Sequence, residues 1–214
     1  SGIAVEKASI MDGLGPDGVA VLNGDIATTQ ILQGHAKDLG VRQVLFGQTA
    51  PDWIVDDVKI TGDVTIIKAR GQGQDYLFKL SVPGRHFAMN AVGVLAVVEA
   101  LGADPVTASL DIAAWVPPAG RGTREVIVTD MANDGESLEL LDDAFNANPT
   151  SLAASLEVLA ASTPTNGVGR IVKGRRVAIL GDMLELGSQE AAMHSDMAAN
   201  PHIAGLDQIH CAGP

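Results

Sequence analysis

The chain has 214 residues, 46% of them hydrophobic and 3% aromatic, with a formal net charge of -12. That is enough apolar sequence for one large core or two modest ones and excludes a disordered chain. The acidic excess argues against a general nucleic-acid binder, whose affinity rests on Lys and Arg, but leaves room for a local basic pocket for a small anion.

No apolar run reaches the roughly 18 residues of a membrane span, and the first seven residues, SGIAVEK, lack a signal-peptide core. The one cysteine, Cys211, can form neither an internal disulfide nor a thiolate cluster. A cytoplasmic chain without a membrane span is expected. With so few aromatics, Ala, Val, Leu and Ile must fill the interior, as helices packed on a parallel sheet allow, which predicts α/β.

Ile3 to Leu14 has apolar residues at helical spacing, Val19 to Asn23 reads as a short buried strand, Thr28 to Leu39 as a helix and Val41 to Phe46 as a strand. This β-α-β passage predicts a parallel pair. Ile54 to Ile60, Val64 to Ala69 and Tyr76 to Val82 then alternate between glycine-containing turns, predicting an antiparallel meander. Helices are expected over His86 to Leu101 and Pro105 to Trp115, after which Val116-Pro117-Pro118-Ala119-Gly120 breaks the periodicity and marks a domain boundary.

Beyond it the pattern predicts strands near Glu125 to Thr129 and Leu138 to Asp142, a helix from Pro149 to Ala161, a strand at Arg176 to Leu180, a helix from Gln189 to Ala199 and a strand at Gln208 to Cys211. That alternation suggests a second, Rossmann-like sheet. Ser162 to Arg170 is a polar, glycine-rich surface loop with no visible chemistry. The pattern starts inside a helix and stops directly after a strand, as expected of a piece of a longer protein.

The most informative run is Leu141-Asp142-Asp143-Ala144-Phe145-Asn146-Ala147-Asn148-Pro149. Acids and amides at a strand end are where open α/β sheets bind ligands, and an Asp there can hold a ribose hydroxyl. It is followed, after a helix and a loop, by Gly181-Asp182-Met183-Leu184-Glu185-Leu186-Gly187.

Taken in order, IAVEKASIMDGL (3–14), GVAVLNGD (18–25), PGRHFAMNAVGVLAVV (83–98), PPAGRG (117–122), DDAFNANPTSLAASLEVL (142–159) and GRRVAILGDMLELG (174–187) make the chain resemble the Mur ligases. The resemblance covers nearly the whole chain, and its last two pieces are the most specific. It implies the second half of a central ATP-binding domain over residues 1–118, with a parallel sheet plus a small antiparallel sheet. Residues 119–214 would form a C-terminal Rossmann-like ligase domain, incomplete at its end. The family's phosphate loop, Gly-x-x-x-x-Gly-Lys-Ser/Thr, does not occur in this sequence. The polypeptide by itself is therefore expected to be inactive.

For the complete protein the resemblance implies a monomeric ATP-dependent ligase with ATP and Mg2+. Its expected substrates are a UDP-N-acetylmuramoyl-tripeptide and D-alanyl-D-alanine, joined through an acyl phosphate. A related folate or amino-acid polymer ligase and a non-catalytic Rossmann-like binding module are the alternatives.

Residue by residue, Lys7 matches the lysine carried as a carbamate that ligates magnesium; burial or nearby cations would help hold its amine uncharged. The plain alternative is a solvated lysine on an amphipathic helix. Asn90, in His86-Phe87-Ala88-Met89-Asn90, resembles an adenine-reading amide, with Phe87 in the place of a first amide; it is otherwise a helix N-terminal Asn. Arg121, between two glycines, resembles an arginine that reaches ATP phosphate, or is a linker residue. Asp143 would hold the ribose, with Phe145 and Asn146 near the adenine or peptide, while Asp142 is read as a cap for the next helix. Asn23 lies in a turn that matches a nucleotide-side element. Asp182 and Glu185 would meet the dipeptide ammonium, or belong to a helix-capping loop. His194 is read as a surface or satisfied histidine.

Overall fold

The computed structural model describes residues 2–129, 136–167 and 172–213. Its chain divides into two compact units, Ser1–Trp115 and Val116–Pro214. In the first, helix α1 (Gly2–Ala8) runs into a 3-10 turn at Ser9–Gly13, so the expected single helix changes pitch at Ser9, whose hydroxyl donates back to the Glu6 carbonyl at 2.7 Å.

Strand β1 (Val19–Asn23), helix α2 (Thr29–Asp38) and strand β2 (Arg42–Gly47) form the predicted parallel pair. The meander β3 (Trp53–Thr61), β4 (Val64–Gly71) and β5 (Gln74–Leu80) is antiparallel, as its alternation predicts. It continues the parallel pair: all five strands make one sheet in the order β1-β2-β3-β4-β5.

The join is a parallel contact of two residue pairs, Phe46 with Trp53 and Gly47 with Ile54. Parallel neighbours usually need a long crossover. Here the overlap is so short that the chain need only step back by about a residue, and the Asp52 carboxylate helps by accepting the Leu45 N–H at 2.7 Å.

Both faces of β1 are covered. Ala20 packs with Ala8, Met11 and Ala36 from the α1 and α2 side, while Val19 and Val21 face the main core. That core is built on helix α3 (Arg85–Ala100), whose Ala88, Ala91, Val92, Leu95 and Ala96 are buried against the sheet. Small residues bring helix and strand close: Gly93 leaves no room for a Cβ beside the Phe46 ring. Trp53 is 0% exposed, tilts on Tyr76 at 5.0 Å between ring centroids and donates its Nε1–H to Glu99 on α3 at 2.8 Å. Helix α4 (Pro105–Asp111), capped by Asp104 and followed by a 3-10 turn at Ile112–Ala114, completes the unit.

In the second unit, β6 (Thr123–Val128) and β7 (Ser137–Asp142) pair antiparallel. Helix α5 (Pro149–Ala161) starts at an Asn148–Ser151 capping box, with Pro149 at its first position. Strand β8 (Val177–Leu180), a 3-10 turn at Gly187–Gln189, helix α6 (Glu190–Met197), a 3-10 turn at Pro201–Gly205 and strand β9 (Gln208–Cys211) make a β-α-β unit with parallel strands. The single second sheet suggested by the alternation is, among the described residues, two ladders: β6-β7 and β8-β9. Within the Ser162–Arg170 loop, residues 168–170 lie outside the described residues.

Candidate functional site

The C-terminal end of β7 delivers its side chains through a chain of local bonds. Asp142 accepts the Ala144 N–H at 3.1 Å, which turns the chain; the helix cap that the sequence reading assigned to Asp142 is made instead by Asn148, which accepts from the N–H groups of Thr150 and Ser151 at 3.0 Å each. The turn leaves Asp143 half-buried and facing α5, where its carboxylate accepts from the Ser155 hydroxyl. Ser155 lies one helical turn beyond Ser151 and shares its face. That partner was not read from the sequence, although the spacing was there.

Between this segment and the end of β8 lies a groove of about 590 Å³. Asp143, Phe145, Asn146 and Asp182 all line it, together with Ser155 and Met183. The two separate sequence motifs of this unit therefore open on one cavity. Asp182 stands beside Gly213, where a Cβ would collide with its carboxylate. Glu185 is exposed and adopts a φ of 62°, a left-handed conformation unusual for a residue with a side chain.

Arg121 is tied to this strand end. Gly122 N–H donates to the Asp142 carbonyl at 2.8 Å and Phe145 N–H donates to the Gly120 carbonyl at 3.0 Å. Gly120 has a φ of 74° and Gly122 one of 84°, so the glycines on both sides of Arg121 are needed for this path. The clasp sets the Arg121 guanidinium over the Phe145 ring, 4.3 Å from its centroid. At an exposed position such a contact contributes about 0.5–1 kcal/mol.

The remaining candidates belong to the first unit. Asn23 accepts the Asp25 N–H at 2.9 Å in a tight turn after β1. Asp25 in turn accepts from Gln48 N–H at 2.6 Å and from Thr49 N–H and hydroxyl at 3.1 and 2.8 Å. Burial pushes the Asp25 carboxyl up, but the bonds from Gln48 and Thr49 outweigh it and hold the group below the ordinary value.

Asn90 is exposed in the second turn of α3, past a cluster in which Phe87 contacts His86 at 3.9 Å and Trp115 at 5.3 Å between ring centroids. Lys7 sits in the last turn of α1 and is exposed, so burial is not what would hold its amine uncharged. Among the described residues no group of three or more His, Cys, Asp or Glu side chains is gathered to hold a metal, and no helix is long and apolar enough to cross a membrane.

Comparison with known proteins supplies the context for this geometry. A family model of the Mur ligase middle domain matches residues 1–98, and one described as Mur ligase, glutamate ligase domain, matches residues 128–214. The chain is 28% identical to the UDP-N-acetylmuramoyl-tripeptide--D-alanyl-D-alanine ligase of Escherichia coli, over 100% of the chain and 43% of that protein. A crystal structure of MurF from Acinetobacter baumannii superposes with a TM-score of 0.79 at 23% identity, covering 100% of this chain and 42% of that one. The MurF ligase of Thermotoga maritima in complex with ADP matches at a TM-score of 0.67 and 20% identity, over 95% of this chain and 50% of that one. At those identities the two structures speak for the fold. The chain spans less than half the length of its E. coli relative. Two family matches that fall in order on the two units, and a curated relative aligned from end to end, make this chain a member of the Mur ligase family.

Proposed function

We propose that the complete protein is an ATP-dependent carbon–nitrogen ligase of peptidoglycan precursor synthesis in the cytoplasm, joining D-alanyl-D-alanine to a UDP-N-acetylmuramoyl-tripeptide. The observation that carries this reading is the shared groove: the acid-and-amide strand end and the Gly181–Leu184 segment line one cavity. A nucleotide element and an amine-binding element must lie close for an activated carboxylate to meet its nucleophile.

The terminal carboxylate of the tripeptide attacks the γ-phosphorus, the bond to ADP breaks, and an acyl phosphate results. The dipeptide amine, having lost a proton, then attacks the acyl carbon, and inorganic phosphate leaves through a tetrahedral intermediate. Little covalent work falls to the protein, so charge and position matter most.

Asp143 takes a ribose hydroxyl: Ser155 engages one edge of its carboxylate, and a carboxylate has further acceptor sites. Phe145 and Asn146 border the base, and Arg121, stacked on Phe145, directs its charge at phosphate. Asn90 and Asn23 are the first unit's proposed nucleotide contacts. Asp182 and Glu185 attract the dipeptide ammonium.

Lys7 is exposed, and its amine, on losing a proton, would add to dissolved carbon dioxide to give a carbamate whose oxygen is of the hard kind that magnesium prefers. Magnesium held there would neutralise charge on the transferring phosphoryl group.

The test is phosphate release by the full-length protein. It should require ATP, the muramoyl tripeptide and D-alanyl-D-alanine together, and Asp143→Ala should raise the KM for ATP about tenfold, the scale of one charge-assisted hydrogen bond. Phosphate release that ignores the dipeptide, or that responds to glutamate and a folate instead, would overturn the reading.

A further inference from the structure

The segment from Gly181 to Leu186 belongs to no helix or strand, yet Met183 in its middle is 1% exposed. Its backbone is tied to α6. The Met183 backbone N–H donates to Nε2 of His194 at 2.9 Å, and on the other side of the same ring Nδ1 stands 2.9 Å from the Glu190 carbonyl oxygen.

A backbone amide can only donate and a carbonyl can only accept, so both contacts are satisfied by one state of the ring: neutral, with its proton on Nδ1. The Glu190 carbonyl thus fixes the tautomer that the loop needs. A second hydrogen-bonded group that orients a histidine is a familiar device around metals; here it orients the ring toward a backbone amide.

We infer that His194 is a positioning residue for the amine-binding loop. Its neutral ring ties Met183 to α6, and so sets where Asp182, one residue before, and Glu185, two residues after, present their carboxylates. The loop needs such a tie, because Glu185 at φ 62° holds a backbone conformation that a residue with a side chain does not favour. Gln offers an acceptor oxygen at about the reach of Nε2 and can replace the ring; Leu fills similar space and cannot.

The assignment of this loop to the dipeptide rests on the proposed ligase reading, whereas the tie itself does not. Both are tested in the full-length protein. Nitrogen-15 spectra of the histidine rings, with His194→Gln to identify the signal, should show His194 protonated on Nδ1; protonation on Nε2 overturns the inference.

Amide exchange at Met183 should accelerate at least tenfold in His194→Leu and return toward wild type in His194→Gln. Equal protection in all three proteins also overturns it. In kinetics, His194→Leu should raise the KM for D-alanyl-D-alanine about tenfold while the KM for ATP stays within about twofold, with His194→Gln restoring most of the difference. Equal changes in both KM values reject a role specific to the amine. Should the wild-type protein show no dipeptide-dependent turnover, the ligase reading falls, and the ring spectrum and exchange rates still decide the tie.

Discussion

The two units invest their apolar residues differently. In the second, only Pro117, Leu156, Val158, Ala178 and Met183 are buried apolar side chains among the described residues; every other one described belongs to the first. Val126, Val128, Leu138, Ile179 and Phe145 of the second unit are all exposed. Its order rests instead on polar ties: the capping box of Asn148, the Asp143–Ser155 bond, and Arg176, which donates from its side chain to the Ser162 and Gly205 carbonyls while its own N–H donates to Asp207. A core shared among many side chains resists local opening, whereas a few directional bonds release one segment at a time. The candidate groove lies in the unit of the second kind.

That contrast can be broken most directly at Trp53. Trp53→Ala removes the largest fully buried side chain and leaves Glu99 without its indole partner, at a cost of about 3–5 kcal/mol. Peptide-resolved hydrogen exchange should show β3, β4 and α3 losing protection while α5 keeps it; a parallel loss in α5 would mean that the units do not hold their stability separately. A smaller blow falls at Gly71, beside the same indole, where a Cβ has no room. Gly71→Ala should destabilise the first unit by about 1–3 kcal/mol in urea unfolding.

On the other side of the comparison, Asn148→Ala should cost about 1 kcal/mol and speed exchange chiefly in the first turn of α5. An effect that spreads to β4 would blur the distinction. The smallest expected effect is a pH dependence. Asp25 has a folded-state value held below the usual 3.8, so its stabilising contribution is present above 3.8 and disappears as the pH falls through the folded-state value. Thermal unfolding of Asp25→Asn should therefore lose less between neutral pH and pH 3 than the wild type does, with the difference confined to the first unit.

Local pattern made much of this molecule legible. Strands β1 and β9 and helix α5 fall where periodicity, caps and Pro149 put them. What was hidden depends on partners far apart or on a single dihedral. The fusion of parallel pair and meander turns on two residue pairs and an Asp52 side chain, none of which alters the hydrophobic period. The break of the first helix at Ser9 is a side-chain competition for one carbonyl.

At the site, the acid-and-amide strand end is visible as a composition, and both acids line the groove; that Asp142 turns the chain through the Ala144 N–H and leaves the helix cap to Asn148 is not, because either side chain suits either bond. His194 was read as satisfied, and so it is. Its two partners, four residues before it and eleven before it, leave no mark in the spacing.

The clasp between Gly120 and Phe145 has a mechanical meaning. Arg121 follows the two prolines of the connecting segment, and by sequence it reads as a phosphate-reaching arginine or as a linker residue. Its flanking glycines are instead laced to the end of β7, and its guanidinium rests on a ring from the same strand end. Arg121 and Phe145 travel together like two fingers of one hand, and a displacement of the one carries the other with it.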